Sequence, residues 1–165
     1  MSSSESDMAP PSAPRMDGRT GAARLRSLPT RLLSLAATQS DRLVNEGLAA
    51  ADARKWHYAV LATLEESGPA SQAELSRRTG IYRSDLVSVI NELTDRGLVE
   101  RAPDPADRRR NVITMTERGR ARFARLDDLL TELEDEVLAP LSRAERDQLA
   151  GLLGRLVDHH ARRDG

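Results

Sequence analysis

Apolar residues recur at helical spacing through most of this chain, and the main exception is one short alternating run. From about Leu25 the row Leu28, Leu32, Leu35 and Leu43 predicts a first helix, with Pro29 tolerable in its first turn. A second helix is expected after Asp52 as N-cap, with Val60, Leu61 and Leu64 on one face and Gly68-Pro69 as its stop. Ser71-Gln-Ala-Glu74 is a capping-box pattern, opening a short helix that ends at Gly80. The next helix, Tyr82–Arg96, turns Leu86, Ile90 and Leu93 inward and meets Gly97 where a left-handed residue belongs. Leu98–Ala102 and Asn111–Thr116 read as two arms of a β-hairpin, with Pro103 and Pro105 in its loop.

Beyond the hairpin, Phe123, Leu126, Leu130, Leu133 and Val137 form the seam of a long helix over about Glu117–Leu138, broken by Pro140. A second capping box, Ser142-Arg-Ala-Glu145, opens a last helix expected to turn Leu149, Leu152, Leu153, Leu156 and Val157 inward. Residues 1–22, rich in Ser, Pro, Gly and Ala, read as a disordered tail. No internal repeat is visible. The expected fold is mainly α with a small β-hairpin wing (α+β): a winged helix-turn-helix between long N- and C-terminal helices. The segments divide as tail 1–22, N-terminal dimerisation helix 23–50, winged helix-turn-helix 51–116 and C-terminal dimerisation helices 117–165.

Composition narrows the function. The chain has 165 residues, 39% hydrophobic and 31% charged, the balance of one globular domain. Aromatic residues are only 2%, so the core must come from Leu, Val, Ala and Ile. The absence of cysteine excludes disulfides, thiolate metal sites and a cysteine nucleophile. No apolar run approaches the roughly 20 residues of a membrane span and no signal-peptide pattern opens the chain, so a soluble cytoplasmic protein is expected.

The net charge of −1 averages two unlike regions. Ser76–Arg125 carries 12 arginines against 7 acids, and Leu126–Gly165 carries 5 arginines against 10 acids. A basic middle followed by an acidic end sets a charged working surface apart from the rest. Lys55 is the only lysine among 25 basic residues, so arginine placement informs more than arginine number.

The most informative placement is Asp104-Pro-Ala-Asp-Arg-Arg-Arg-Asn-Val-Ile-Thr-Met-Thr116, where Arg108, Arg109 and Arg110 sit at the end of a turn rich in Pro and Asp. A projecting basic finger suits a groove lined with phosphates, and a narrow minor groove attracts arginine through its negative potential. The bland alternative is a solvated loop whose arginines pair with Asp104 and Asp107. In Tyr82–Arg96, residues advance by about 100° each, which sets Ser84, Ser88, Asn91 and Asp95 opposite Leu86. Asparagine can pair with an adenine edge, and serine with most edges or a phosphate. Arg83 lies at the N-terminal end, where such helices usually touch bases. The candidate DNA contacts are Arg83, Ser84, Val87, Ser88, Asn91, Asp107, Arg108 and Arg109.

These residues resemble the MarR family of bacterial dimeric winged-helix repressors, over about Leu25–Arg162. Two motifs carry the likeness. Asp107-Arg-Arg-Arg-Asn-Val-Ile-Thr-Met-Thr116 followed by Glu-Arg-Gly119 is similar to the family's Asp-x-Arg wing and its Leu-Thr-x-x-Gly close. Ile90-Asn-Glu-Leu-Thr-Asp-Arg-Gly-Leu-Val99 is similar to the end of its helix-turn-helix. The resemblance implies that Arg109 is a minor-groove arginine steadied by Asp107. It also implies a homodimer joined through the N- and C-terminal helices. Met115 departs from the family's usual Leu, a tolerable swap, and Trp56-His57 stands where many members have Pro-Gln.

Trp56, His57 and Tyr58, with Arg54 nearby, gather most of the aromatic and titratable groups at the start of the second helix. One reading is a hydrogen-bonded core histidine beside a packing tryptophan. The other is an effector pocket for a small aromatic acid, because the family's members often release DNA on binding such ligands. His159 and His160 diverge by about 100° on a helix and lack a third ligand, so no metal and no cofactor are expected. No nucleophile–base pair, paired carboxylates or glycine-rich phosphate loop points to an enzyme. The class that competes with a DNA-binding regulator is a helical protein-interaction or scaffold dimer using the same seams.

Overall fold

The computed structural model describes residues 21–163, which divide into two compact units, one ending at Gln39 and the other beginning at Ser40. The expected disordered tail at 1–22 lies outside the described residues except for Gly21 and Ala22.

The first expected helix is divided. α1 spans Ala23–Arg26, and α2 runs from Pro29 to Ala50 across the boundary between the units. Proline disfavours the α conformation in the residue before it, which breaks the chain at Leu28, and its missing N–H does no harm at the first helical position. Leu25, Leu32 and Leu33 of this segment are exposed.

In the second unit follow α3 (Lys55–Ser67), α4 (Gln72–Thr79), α5 (Arg83–Asp95), β1 (Val99–Pro103), β2 (Asn111–Met115), α6 (Glu117–Val137) and α7 (Arg143–Ala161). β1 and β2 pair antiparallel, with Val99 opposite Met115 and Pro103 opposite Asn111. Ala70 adds one further rung, exchanging both backbone hydrogen bonds with Ile113 at 3.1 and 2.8 Å. Pro103 therefore closes β1 rather than sitting in the loop.

Asp52 does not cap α3. It lies in the connecting loop at φ 55°, and Arg54 holds the N-cap position without a side-chain cap. The loop carbonyls of Ala51 and Asp52 are instead bound by Arg122 and Arg96.

The core of this unit is aliphatic. Leu48, Val60, Leu61, Leu75, Leu86, Val89, Ile90, Leu93, Val99, Ile113 and Leu126 are all essentially inaccessible. Each such side chain contributes about 1.5–3 kcal/mol by burial. α5 alone supplies Leu86, Val89, Ile90 and Leu93, so its inner face is anchored along its whole length.

α7 departs from expectation. None of its residues is buried, and Leu152, Leu156 and Val157 are exposed. A row of apolar residues at helical spacing is turned outward here because no element of the second unit covers it. No helix among the described residues is long and apolar enough to cross a membrane.

Candidate nucleic-acid interface

The capping box predicted at Ser71 is formed. Its Oγ accepts the Glu74 N–H at 3.2 Å, and the Glu74 carboxylate accepts the Ser71 N–H at 3.1 Å. That backbone hydrogen bond holds Glu74 below the usual carboxylate range. α4 ends at Gly80, whose φ of 72° is easy only for glycine. Ser76 Oγ then donates to the Ile81 carbonyl at 2.7 Å, and Thr79 Oγ1 accepts the Ile81 N–H at 3.3 Å. The turn is thus tied to the helix before it, and α5 starts in a defined direction.

With its inner face buried, α5 exposes Arg83, Ser84, Val87, Ser88 and Asn91. The helix is closed by a glycine-ended motif. Leu98 N–H reaches the Leu93 carbonyl and Gly97 N–H reaches that of Thr94, both at 2.9 Å, with Gly97 at φ 70°. Buried Leu98 then feeds directly into β1. Arg101 of β1 donates from Nη2 to Asn91 Oδ1 at 3.0 Å, joining the hairpin to the exposed face of α5.

At the hairpin tip both aspartates serve the backbone. Asp104 Oδ1 accepts the Ala106 N–H at 2.9 Å, and Asp107 Oδ1 accepts the Arg109 N–H at 3.1 Å. Backbone bonds from Asp104 N–H to the Arg110 carbonyl and from Arg110 N–H to the Asp107 carbonyl close the loop. Among the described residues, no carboxylate lies within 4.0 Å of the guanidinium groups of Arg108, Arg109 or Arg110. Asp107 shapes the turn beneath Arg109 through its N–H. The bland reading, a loop of self-neutralised ion pairs, does not describe this tip.

The far end of the hairpin is clamped to α6. Thr116 caps that helix by accepting the Gly119 N–H at 3.0 Å, and its hydroxyl also lies 2.7 Å from the Gly97 carbonyl. A Cβ on Gly119 would come within 2.1 Å of the Leu98 carbonyl oxygen, so the helix can approach the strand only with glycine there.

At the start of α3 the three candidate effector residues part company. His57 is buried and its Nε2 lies 2.8 Å from Glu92 Oε2 on α5. A carboxylate only accepts, so the imidazole is the donor. Arg54 Nη2 binds the other oxygen of Glu92 at 2.6 Å. Burial lowers the His57 pKa from its ordinary value, and the nearby Arg54 and Arg96 push the same way, while Glu92 opposes them. Trp56 is exposed rather than packed in the core, with the Arg54 guanidinium 6.0 Å from its ring. It lines an open groove of about 400 Å³ with Asn45, Ala49, Ala53, Arg54 and Lys55. His57 lines an adjoining groove with Asp52, Glu92 and Arg96, and Ala49, Ala53 and Arg54 border both. Tyr58 lines neither of these grooves. Its hydroxyl donates to Asp127 on α6 at 2.6 Å, and its ring lies 5.6 Å from Phe123. Burial and the Asp127 carboxylate raise its pKa to about 12.

Known proteins share this fold. A family model described as MarR family matches residues 46–110, from the end of α2 to Arg110 at the hairpin tip. A crystal structure of a probable transcriptional regulator from Pseudomonas aeruginosa is 32% identical, with a TM-score of 0.70 over 81% of this chain and 99% of that one. The chain belongs to the MarR family.

Another solved structure, that of BpsR of Bordetella bronchiseptica, is 25% identical at a TM-score of 0.72, over 84% of this chain and 99% of that one. Its DNA binding is regulated by 6-hydroxynicotinic acid. The transcriptional repressor NicR of Pseudomonas putida is 30% identical over 101 residues, which are 61% of this chain and 64% of that protein. The chain spans less than two thirds of the curated relatives it matches.

Two residues of this MarR-family surface escaped the reading of the sequence. Arg101 was legible in principle, since alternation along β1 sets it on the same face as buried Val99. Glu92 left no such signal, because its partners Arg54 and His57 lie 38 and 35 residues away.

Proposed function

We propose that this chain is a sequence-specific DNA-binding transcriptional regulator, a repressor that binds a palindromic operator as a homodimer in the cytoplasm. The observation that carries this reading is the pairing of an anchored helix, polar on its exposed face, with a hairpin tip whose three arginines have no carboxylate partner among the described residues. In this reading residues 51–116 form the DNA-binding part. Arg83, Ser84, Val87, Ser88 and Asn91 enter the major groove, Arg109 reaches the minor groove, and Arg108 meets a phosphate. Asp107 holds the backbone beneath Arg109. Segments 23–50 and 117–165 join the two copies, and the exposed Leu32, Leu33, Leu152, Leu156 and Val157 support this because they leave apolar surface to cover. Half-sites then lie about one helical turn apart. None of these roles needs a catalytic centre.

The test is a gel shift on the chain's own promoter region against scrambled DNA of equal length. Preferential retention of the promoter supports the reading, and equal binding to both removes it. A scaffold dimer that does not read phosphates would show no steep loss of DNA binding with salt.

A small aromatic acid is the proposed effector. The groove beside Trp56 supports it by offering an indole face next to the cations Arg54 and Lys55, with His57 one groove away. The regulation of BpsR by an aromatic acid points to the same ligand class. Calorimetry with a panel of such acids, on wild type and His57→Ala, tests it. No heat with either protein eliminates the effector.

A further inference from the structure

Arg101 stands on a face of the hairpin where a cation is unexpected. Residues directly opposite each other in an antiparallel pair project to the same side. Val99 opposite Met115, and Arg101 opposite Ile113, therefore share one face. Val99, Met115 and Ile113 are all buried, so that face looks toward the helices. A charge directed at a core is costly unless it finds partners or escapes. Arg101 escapes along α5, one pleat further out than Val99, and binds Asn91.

The bond determines how Asn91 presents itself. A guanidinium has donors only, so the atom facing it at 3.0 Å must be the amide oxygen. The Asn91 amino group is then turned away from Arg101, on the exposed side of the helix. An adenine edge needs one donor and one acceptor from asparagine, whereas guanine offers two acceptors, N7 and O6. An asparagine whose oxygen is engaged in this way offers a base edge donors only.

We propose that Arg101 is a specificity-determining positioning residue. By holding the Asn91 oxygen it leaves Asn91 only its amino donors for the base edge, so that Asn91 reads guanine in preference to adenine at one position of each half-site. The proposal rests on the DNA-binding reading and adds to it the polarity of one contact.

Selection from a randomised DNA library tests it with wild type, Arg101→Ala, Arg101→Met, Asn91→Ala and the Arg101→Ala/Asn91→Ala double variant. Wild type should select guanine at the position that Asn91→Ala makes indifferent. Arg101→Ala should still select a motif, with preference at that position moved toward adenine on the order of 10-fold. Arg101→Met, which keeps the aliphatic stem, should behave alike. The double variant should show no shift beyond Asn91→Ala. The proposal is overturned if wild type selects adenine there. It is equally overturned if loss of Arg101 weakens all sequences alike and lowers the salt slope by about one, the mark of a phosphate contact. Wild-type protein that selects no motif at all removes the DNA-binding reading itself, a result distinct from either.

Discussion

His57 and Glu92 are joined at 2.8 Å, a buried imidazole near the start of α3 donating to a carboxylate on α5. Arg54 binds the same carboxylate from the rim, so Glu92 is held from two sides and α5 is tied to α3 along its flank. The His57 hydrogen bond and the Arg54 charge keep Glu92 below the usual carboxylate range.

This pair makes stability depend on pH. His57 binds protons less readily in the folded chain than its ordinary value of 6.5, so the unfolded chain takes up protons first. The contribution is fully present above pH 6.5 and is lost as pH falls from there through the lowered folded value. Glu92 adds a loss of the same sign at lower pH, below the ordinary carboxylate value of 4.5. Melting temperature measured from pH 8 to pH 5 should fall below about 6.5 in wild type. His57→Asn should be less stable at pH 8 by about 1–3 kcal/mol and flatter across that window. A wild-type profile flat from 8 to 5 would contradict the assignment.

Gly119→Ala should be destabilising by about 1–3 kcal/mol, since the new methyl meets the Leu98 carbonyl rather than a yielding side chain. Chemical denaturation reads this directly. An unchanged midpoint would mean that α6 can move away from β1 without cost.

Leu152→Glu with Leu156→Glu should give a folded monomer, because both side chains are exposed in the single chain and buried only if another copy covers them. Sedimentation at micromolar concentration measures the mass, and the circular dichroism spectrum should be unchanged. A variant that remains dimeric places the interface elsewhere.

Arg109→Ala should weaken operator binding by about 10-fold or more and reduce the salt slope by about one, leaving the melting temperature within 1–2 °C of wild type. Asp107→Ala removes the acceptor for the Arg109 N–H and should weaken binding in the same direction, by less. If Asp107→Ala bound as tightly as wild type, the turn would not need that carboxylate.

Much of this architecture was readable from local pattern. The inner residues of α5, both capping boxes, the Gly80 and Gly97 turns and the hairpin all rest on interactions spanning a few residues, which a linear sequence displays. The errors fell where local cues compete. Asp52 has the chemistry of an N-cap, but the loop put it at positive φ, with Arg96 and Arg122 on the loop carbonyls. Leu152, Leu156 and Val157 have the spacing of a buried face, yet spacing says only that a face is apolar, not what covers it.

The order of elements, the aliphatic core and the basic tip follow from local sequence, because hydrophobic period, caps and turn residues act over one or two helical turns. Which polar groups distant in sequence meet was settled only by packing. Arg101 with Asn91, His57 and Arg54 with Glu92, and Tyr58 with Asp127 join residues 10 to 69 positions apart. Their pairing follows from how packed helices and a strand bring side chains to hydrogen-bond distance, and no periodicity encodes that distance. The same packing separated Trp56, His57 and Tyr58, three neighbours in sequence that α3 turns to three different surroundings.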